Sequence, residues 1–364
     1  MAFMRYIRPP FIVKPVAMLV LTSMAAICGV HSAHAAISDD DSISLVTRST
    51  VNQPQPPNRD SEVDGLSSER LLFVIEQGAG KARASYLVMA HLDGSNARIL
   101  AKVSGALFNL TVSHDGQSVV FTQQQQSFPQ LWRLDIKTGQ QTLLSPTRTN
   151  YFSGSLSPDK QQLLIAASLT DNPEIFLTKV DGSEPQQLTY DAAIDIAPQW
   201  LPNQQGFVFI SDREGLYHPQ IYRYDFPSQQ TVRLTHGHYV ANPKISPDGQ
   251  WLSYIAKDPQ GIITRVLQRL STGEIQSLGS TDLAEAMTFS NNGHWGVYSQ
   301  DNTIGIVDLA KLTSVQSKKN NRQRSELTLQ TATVARFSLT ELALAEIEIS
   351  HAIIREPQLI EYTD

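Results

Sequence analysis

A single cysteine in 364 residues, Cys28, leaves the chain without the means to close a disulfide within itself, so its stability has to come from packing. Catalytic signatures are equally scarce. There is no Gly-x-Ser-x-Gly elbow, no phosphate-cradling glycine loop, and no Cys or His set at zinc-ligand spacing. After residue 30 there is no apolar run of membrane-spanning length, which argues against a stable helical span in the rest of the chain. Positive charge is also in deficit: 29 Lys and Arg face 35 Asp and Glu, a formal charge of −6 that disfavours non-specific nucleic-acid binding.

What the first residues do contain is an export signal. Arg5, Arg8 and Lys14 precede the apolar run Val16 to Val30, and Ala33 and Ala35 supply the small residues before a cut at Ala36. A lipoprotein reading through Cys28 is weakened by Ile27, which stands where such signals want a small residue, and the rival reading, an uncleaved membrane anchor, meets a run that is short for a bilayer span. Residues 1–35 are therefore expected to be a Sec-type signal peptide, and the bacterial periplasm is the expected address. Cleavage would remove Cys28 and three positive charges, taking the formal charge from −6 to −9. Residues 36–68 are acidic and proline-rich, with too little apolar surface to pack alone, and are expected to be a flexible leader.

The body of the chain repeats. "SPDGQWLSY" from Ser246 has weaker copies in "SHDGQSVVF" from Ser113, "SPDKQQLLI" from Ser157, "LPNQQGFVF" from Leu201 and "SNNGHWGVY" from Ser290, with starts 44, 44, 45 and 44 residues apart. Pro, Asp and Gly at successive turn positions close a hairpin. Lys160 and Gln204 stand where glycine would be cheapest, a strain of roughly 1 kcal/mol each. The segments between turns, such as "LWRLDIKTG" from Leu131 and "IYRYDFPS" from Ile221, alternate with period two and are rich in aromatic and β-branched residues. That pattern excludes helical repeats. It predicts an all-β fold, a six-bladed β-propeller of four-stranded blades over residues 69–338, closed by a C-terminal inner strand. "TVARFS", Thr333 to Ser338, is expected to be that closing strand beside the first blade. The acidic tail, 339–364, has ambiguous periodicity and receives no assignment.

Candidate contact residues fall on loops between strands. "SDREGLYHP", Ser211 to Pro219, is the longest polar and aromatic loop, and Arg213, Tyr217 and His218 within it are candidate anchors. Tyr151, Phe152 and Tyr239 are candidate aromatic contacts, and Asp195 and Glu285, with Asp191, are placed at the channel mouth, where oxygen ligands can hold a hard cation such as calcium. His236 and His238 form the nearest histidine pair, yet a metal site needs further ligands, so no metal or other cofactor is assigned. The basic stretch Lys318 to Arg324 reads as a solvated loop.

The "SPDG" hairpins at this period, "ISDREGLYHPQIYRYD" (Ile210 to Asp225), and "QQLT" and "VRLTHG" before inner strands, together with the leader, resemble the TolB-like propeller family of the Tol-Pal envelope system. The resemblance implies a non-enzymatic scaffold whose propeller binds the lipoprotein Pal and whose N-terminal segment takes part in contacts to the Tol inner-membrane components. The family also carries an α/β domain ahead of its propeller, where this chain is expected to have only its leader. At the position of the family's His-Asn-Gly-Ala stretch the chain reads Asn150, Tyr151, Phe152, Ser153, so no Pal-contacting residue is carried over there. Two alternatives remain: a propeller-based lyase or peptidase-associated gate, and a periplasmic receptor for a small ligand or glycan. Export predicts a processed protein whose intact mass starts at Ala36 when the chain is produced in a Gram-negative host; a mass retaining residues 1–35 would contradict it.

Overall fold

One side-chain device closes the repeated turn. The serine hydroxyl donates to the Asp or Asn two residues on and accepts the amide five residues on. The distances are 2.6 and 2.9 Å at Ser113, 2.6 and 2.9 Å at Ser157, 2.5 and 2.9 Å at Ser246, and 2.7 and 3.0 Å at Ser290. The carboxylate or amide mimics a backbone turn. Gly116, Gly249 and Gly293 then take the left-handed φ of 69°, 68° and 72° that ends it, and Lys160 and Gln204 take it at 59° and 57° without glycine's freedom.

The computed structural model describes residues 69–78, 82–124, 128–145, 148–215, 217–281, 285–300, 302–314, 333–338, 342, 344, 347 and 352–361. The expected signal peptide, the leader and the 318–324 basic stretch lie outside them. The hairpins build six four-stranded antiparallel sheets. Blade 1 takes β1 (Glu69–Gln77), β2 (Ala84–Ala90) and β3 (Arg98–Ser104). Blade 2 is β4 (Leu107–Val112), β5 (Ser118–Gln124), β6 (Pro129–Asp135) and β7 (Gln141–Leu143). Blade 3 is β8 (Tyr151–Leu156), β9 (Gln162–Ala167), β10 (Glu174–Lys179) and β11 (Gln186–Gln187). Blade 4 is β12 (Asp195–Trp200), β13 (Gly206–Ser211), β14 (Gln220–Asp225) and β15 (Gln230–Arg233). Blade 5 is β16 (Tyr239–Ile245), β17 (Trp251–Lys257), β18 (Ile263–Arg269) and β19 (Ile275–Ser280). Blade 6 is β20 (Thr288–Phe289), β21 (Trp295–Gln300), β22 (Thr303–Asp308) and β23 (Thr333–Ser338), with a short helix, Leu309–Ser314, after β22.

The ring closes with a C-terminal inner strand, but a different one from the segment expected. β23 is the outer strand of blade 6, with Phe337 opposite Ile304. The closing strand is β24 (Ala352–Glu361), inside the tail, antiparallel to β1 with Ile354 opposite Ile75 and Leu359 opposite Leu71. Its alternation was hidden by a bulge. Glu356 has φ +48°, the register shifts opposite Leu72 and Val74, and Pro357 follows, which only a strand edge tolerates.

Strand pleating explains the core. Successive side chains of β1 point to opposite faces, so Leu71, Phe73 and Ile75 pack with Val297, Ile304 and Ile306 of blade 6, while Leu72 and Val74 pack with Leu110, Val119 and Phe121 of blade 2. Each neighbouring pair of blades shares such a cluster among the described residues. Middle strands are thus apolar on both faces, as "LLFVI", "LLIAA" and "FVFI" record. The closing strand supplies an internal contrast: Ile354 is fully buried and Ile353 is 40% exposed. Ile354→Ala is expected to cost about 2–5 kcal/mol of unfolding free energy and Ile353→Ala less than about 0.5 kcal/mol, read by denaturant titration. Equal effects would contradict the closing role of β24.

Candidate functional site

Antiparallel strand order sends the loops of each blade alternately to the two ends of the ring. Loops joining second to third strands, and those leading from one blade's outer strand to the next inner strand, share one end. All eleven residues singled out from the sequence sit at that end, but they divide by exposure. Tyr151 (1% exposed) and Tyr239 (8%) are core side chains, and Phe152 is half-buried against the core between blades 3 and 4. Tyr217, His218 and His238 are exposed. Tyr217 also holds φ +67°, a rare conformation for a bulky residue. Around it the same end carries exposed Phe128, Tyr190, Ile262 and Ile353. The ring partner of His238 is His218 from the neighbouring loop, at 4.6 Å between centroids, and the His238 carbonyl lies 3.0 Å from His218 Nδ1.

Arg213 faces inward. Its Nη2 is 2.9 Å from Asp191 and 3.0 Å from Asp195, Nε donates to Ser211 Oγ at 2.9 Å, and the guanidinium lies over Tyr222 at 4.6 Å. It thereby ties the loop bearing Tyr217 to the first residue of β12. Asp195 is fully buried and burial pushes its pKa up to about 6, against the pull of Ser211 and Arg213. Beside it Glu174, also buried, is pushed up to about 7 by desolvation, with the nearby Asp195 and Asp191 charges adding to the shift. Glu174 accepts hydrogen bonds from Thr189 (2.5 Å) and Asn172 (3.2 Å). Asp212 is raised by burial too, and accepts the Ile194 amide at 2.8 Å.

The channel holds groups that the sequence reading missed. Glu356 accepts the amides of Asn109 (2.7 Å) and Leu110, both in the bulge of β4, and its own amide donates to Glu285 at 3.1 Å. Lys244 reaches from blade 5 to the Leu110 carbonyl of blade 2 at 3.3 Å. Glu285 accepts from Ser299 Oγ at 2.6 Å, and Arg355 lies 3.8 Å from both Glu285 and Glu76. Burial raises the pKa of Glu356, opposed chiefly by Lys244. The acidic residues named for a hard cation are thus engaged by protein donors, and among the described residues no three His, Cys, Asp or Glu side chains form a metal-ligand group. One signal was available for this strand: Ala197-Pro198, Asn242-Pro243 and Glu356-Pro357 mark the same bulge in three inner strands.

Comparison with known proteins follows this geometry. Residues 61–335 match the family described as TolB beta propeller domain. A Tol-Pal system protein TolB from Francisella tularensis is 26% identical over 230 residues, 61% of this chain and 52% of that protein, so the chain spans about half the length of this relative. The crystal structure of TolB from Acinetobacter baumannii superposes with a TM-score of 0.64 at 24% identity, covering 81% of this chain and 67% of that one. A nidogen/laminin complex gives 0.54 at 12% identity, covering 80% and 98%. These two structures speak to the fold alone. No helix among the described residues is long and apolar enough to cross a membrane.

The buried acids predict a pH signature. An acid whose pKa is raised on folding stabilises the fold below its ordinary value, and that contribution is lost as pH rises towards the raised one. For Glu174 the window runs from 4.5 to about 7. Gln220 already fills the matching place in blade 4, accepting from Thr235 at 3.0 Å and donating to Gly237 at 2.8 Å. Glu174→Gln is therefore expected to stabilise the protein by about 1–3 kcal/mol at pH 8, with the gain vanishing near pH 4.5 in urea titrations. A gain independent of pH would refute the buried-charge account.

Proposed function

The chain belongs to the TolB beta propeller domain family, and from that premise we propose that its ring is a non-catalytic protein-binding module of the bacterial envelope. In this reading it works in the periplasm, and its partner is a Pal-like lipoprotein or a Tol inner-membrane component. The observation that carries the reading is Tyr217: half-exposed at 49%, held in a left-handed backbone, and set on a loop braced from beneath by Arg213. Backbone strain at a rigidly supported aromatic is a mark of a contact site, since folding alone gains nothing from it. Tyr190, at 74% exposure, widens the same surface.

The channel supports binding over gating. A gate needs an open path along the axis, whereas Lys244 spans from blade 5 to blade 2 and Glu356 fills the space beside it. Truncating Arg213 would strip the partner from a buried carboxylate and loosen the loop, so it is a poor probe of the surface. Tyr217 and Tyr190 are the informative positions. Titration calorimetry of the full chain with the purified soluble domain of a Pal-like lipoprotein is expected to show saturable binding, weakened about tenfold or more by Tyr217→Ala and by Tyr190→Ala at unchanged Tm. Absence of binding down to a Kd of about 1 mM, or binding indifferent to both variants, would reject this partner and face.

A further inference from the structure

The end of the ring opposite Tyr217 holds a second surface. Between blades 3 and 4 a cleft of about 400 Å³ is lined by Gln162, Leu177, Trp200, Gln204, Gln205 and Phe226, with Pro227 at its edge. This volume lies towards the small end of ligand pockets. Half-buried Phe226 forms its aromatic wall, backed by the core ring of Trp200, 8% exposed, with centroids 5.4 Å apart and planes inclined by 40°. Trp200 is fixed by its Nε1 donating to the Ser155 carbonyl at 2.9 Å, and Phe226 by its amide donating to the Gln205 carbonyl at 2.9 Å.

The polar lining consists of primary amides, and no lining residue carries a charge. Among the described residues, the side chains of Gln162 and Gln204 make no hydrogen bond, and that of Gln205 reaches only the Asn203 carbonyl at 3.4 Å. Each free amide offers two donors and two acceptor lone pairs. Gln204 is also one of the two positions in the repeated hairpins between first and second strands that take the left-handed φ without glycine. The other, Lys160, makes an ion pair with Asp115 of the preceding blade at 2.5 Å. Among the described residues Gln204 has no such partner, and its side chain lines the cleft with its amide unused.

We propose that this cleft binds a neutral saccharide, with a ring face against Phe226 and the edge of Trp200 and hydroxyls on the Gln162, Gln204 and Gln205 amides. Sugar hydroxyls require both donors and acceptors, which amides supply and lone charges do not. A peptide added as a strand has no place here. β9 is paired on both edges by β8 and β10, and β10 by β9 and β11. The site is remote from the Tyr217 face and independent of what binds there.

The test uses the full chain and three probes, maltose, cellobiose and N,N′-diacetylchitobiose, in ligand-observed saturation-transfer NMR with titration to a Kd. At least one probe is expected to bind saturably. Gln204→Gly and Phe226→Ala are each expected to weaken it about tenfold. Gln204→Gly should keep or raise Tm, because glycine relaxes the left-handed turn while removing the amide. No saturable binding by any probe overturns the proposal, and so does binding that both variants leave unchanged. Tighter binding of a proline decapeptide with the same sensitivity to both variants would reassign the cleft to a peptide.

Discussion

Closing the ring requires its first and last strands to share one sheet, because six twisted sheets packed side by side otherwise leave two blade faces open at the seam. The pairing of β24 with β1 meets that requirement. It does so with one strand serving two cores: Ile354 and Leu359 join the cluster shared with blade 6, and Ile360 joins the cluster shared with blade 2. Phe73 and Phe337 meet across the seam at 5.9 Å, and Asn292 of blade 6 donates to the buried Glu69 at 2.8 Å. The inter-blade packing at the seam presupposes this contact between residues nearly three hundred positions apart, which is entropically expensive to close and rewarded only when both clusters form.

The same constraint organises the channel. Inner strands bulge where they crowd the axis, with Asn109, Ala197, Asn242 and Glu356 all at positive φ, and a bulge frees amides that still need partners. The partner comes from the preceding blade. Glu285 before β20 takes the Glu356 amide, Glu356 takes those of Asn109 and Leu110, and Ser153 of β8 takes that of Ala197 at 3.0 Å. Thr288 adds a bond to the Pro357 carbonyl at 2.7 Å, and Thr111 one to that of Gly154 at 2.8 Å. Several channel acids and hydroxyls are therefore committed to holding blades in register. The exposed aromatics stand instead at the rim, on loops such as the one that Arg213 fixes at its base.

Much of this was legible because a propeller writes its fold as a period. The Pro-Asp-Gly turn and its weaker copies carried the blade spacing, and the two non-glycine turns were visible as departures. The closing strand was not legible by periodicity, because Glu356 and Pro357 break the alternation that identifies a strand. Surface and core aromatics were also indistinguishable in sequence: Tyr151 and Tyr217 both stand beside turn residues at the borders of strands, yet one is packed between blades and the other stands in solvent. Arg213 read as an exposed anchor, and only its convergence with Asp191, Asp195 and Tyr222 reveals a brace. Convergence of residues from different loops is a property of the ring's curvature, which no local pattern encodes.

A repeat protein supplies its own controls, because each position has counterparts in the other blades. Departures from the pattern can then be sorted by whether the molecule itself compensates them. Asn292 replaces the usual Asp beside the buried Glu69, where a second carboxylate would be repelled and an amide can donate. Lys160 replaces glycine and reaches Asp115 on the neighbouring hairpin. Glu174 replaces the amide that blade 4 carries as Gln220, and it stands in a group with Asn172, Asp191, Asp195 and Arg213 that ties the loops of blades 3 and 4 together. Tyr217 and Gln204 differ from these. Each holds an unfavourable backbone conformation at opposite ends of the ring, and among the described residues neither side chain makes a hydrogen bond or ion pair. A packed ring can absorb strain of this size, as it does at exposed Gln229 with φ +54°, so what sets Tyr217 and Gln204 apart is their placement, one on a braced rim loop and the other on the wall of the cleft.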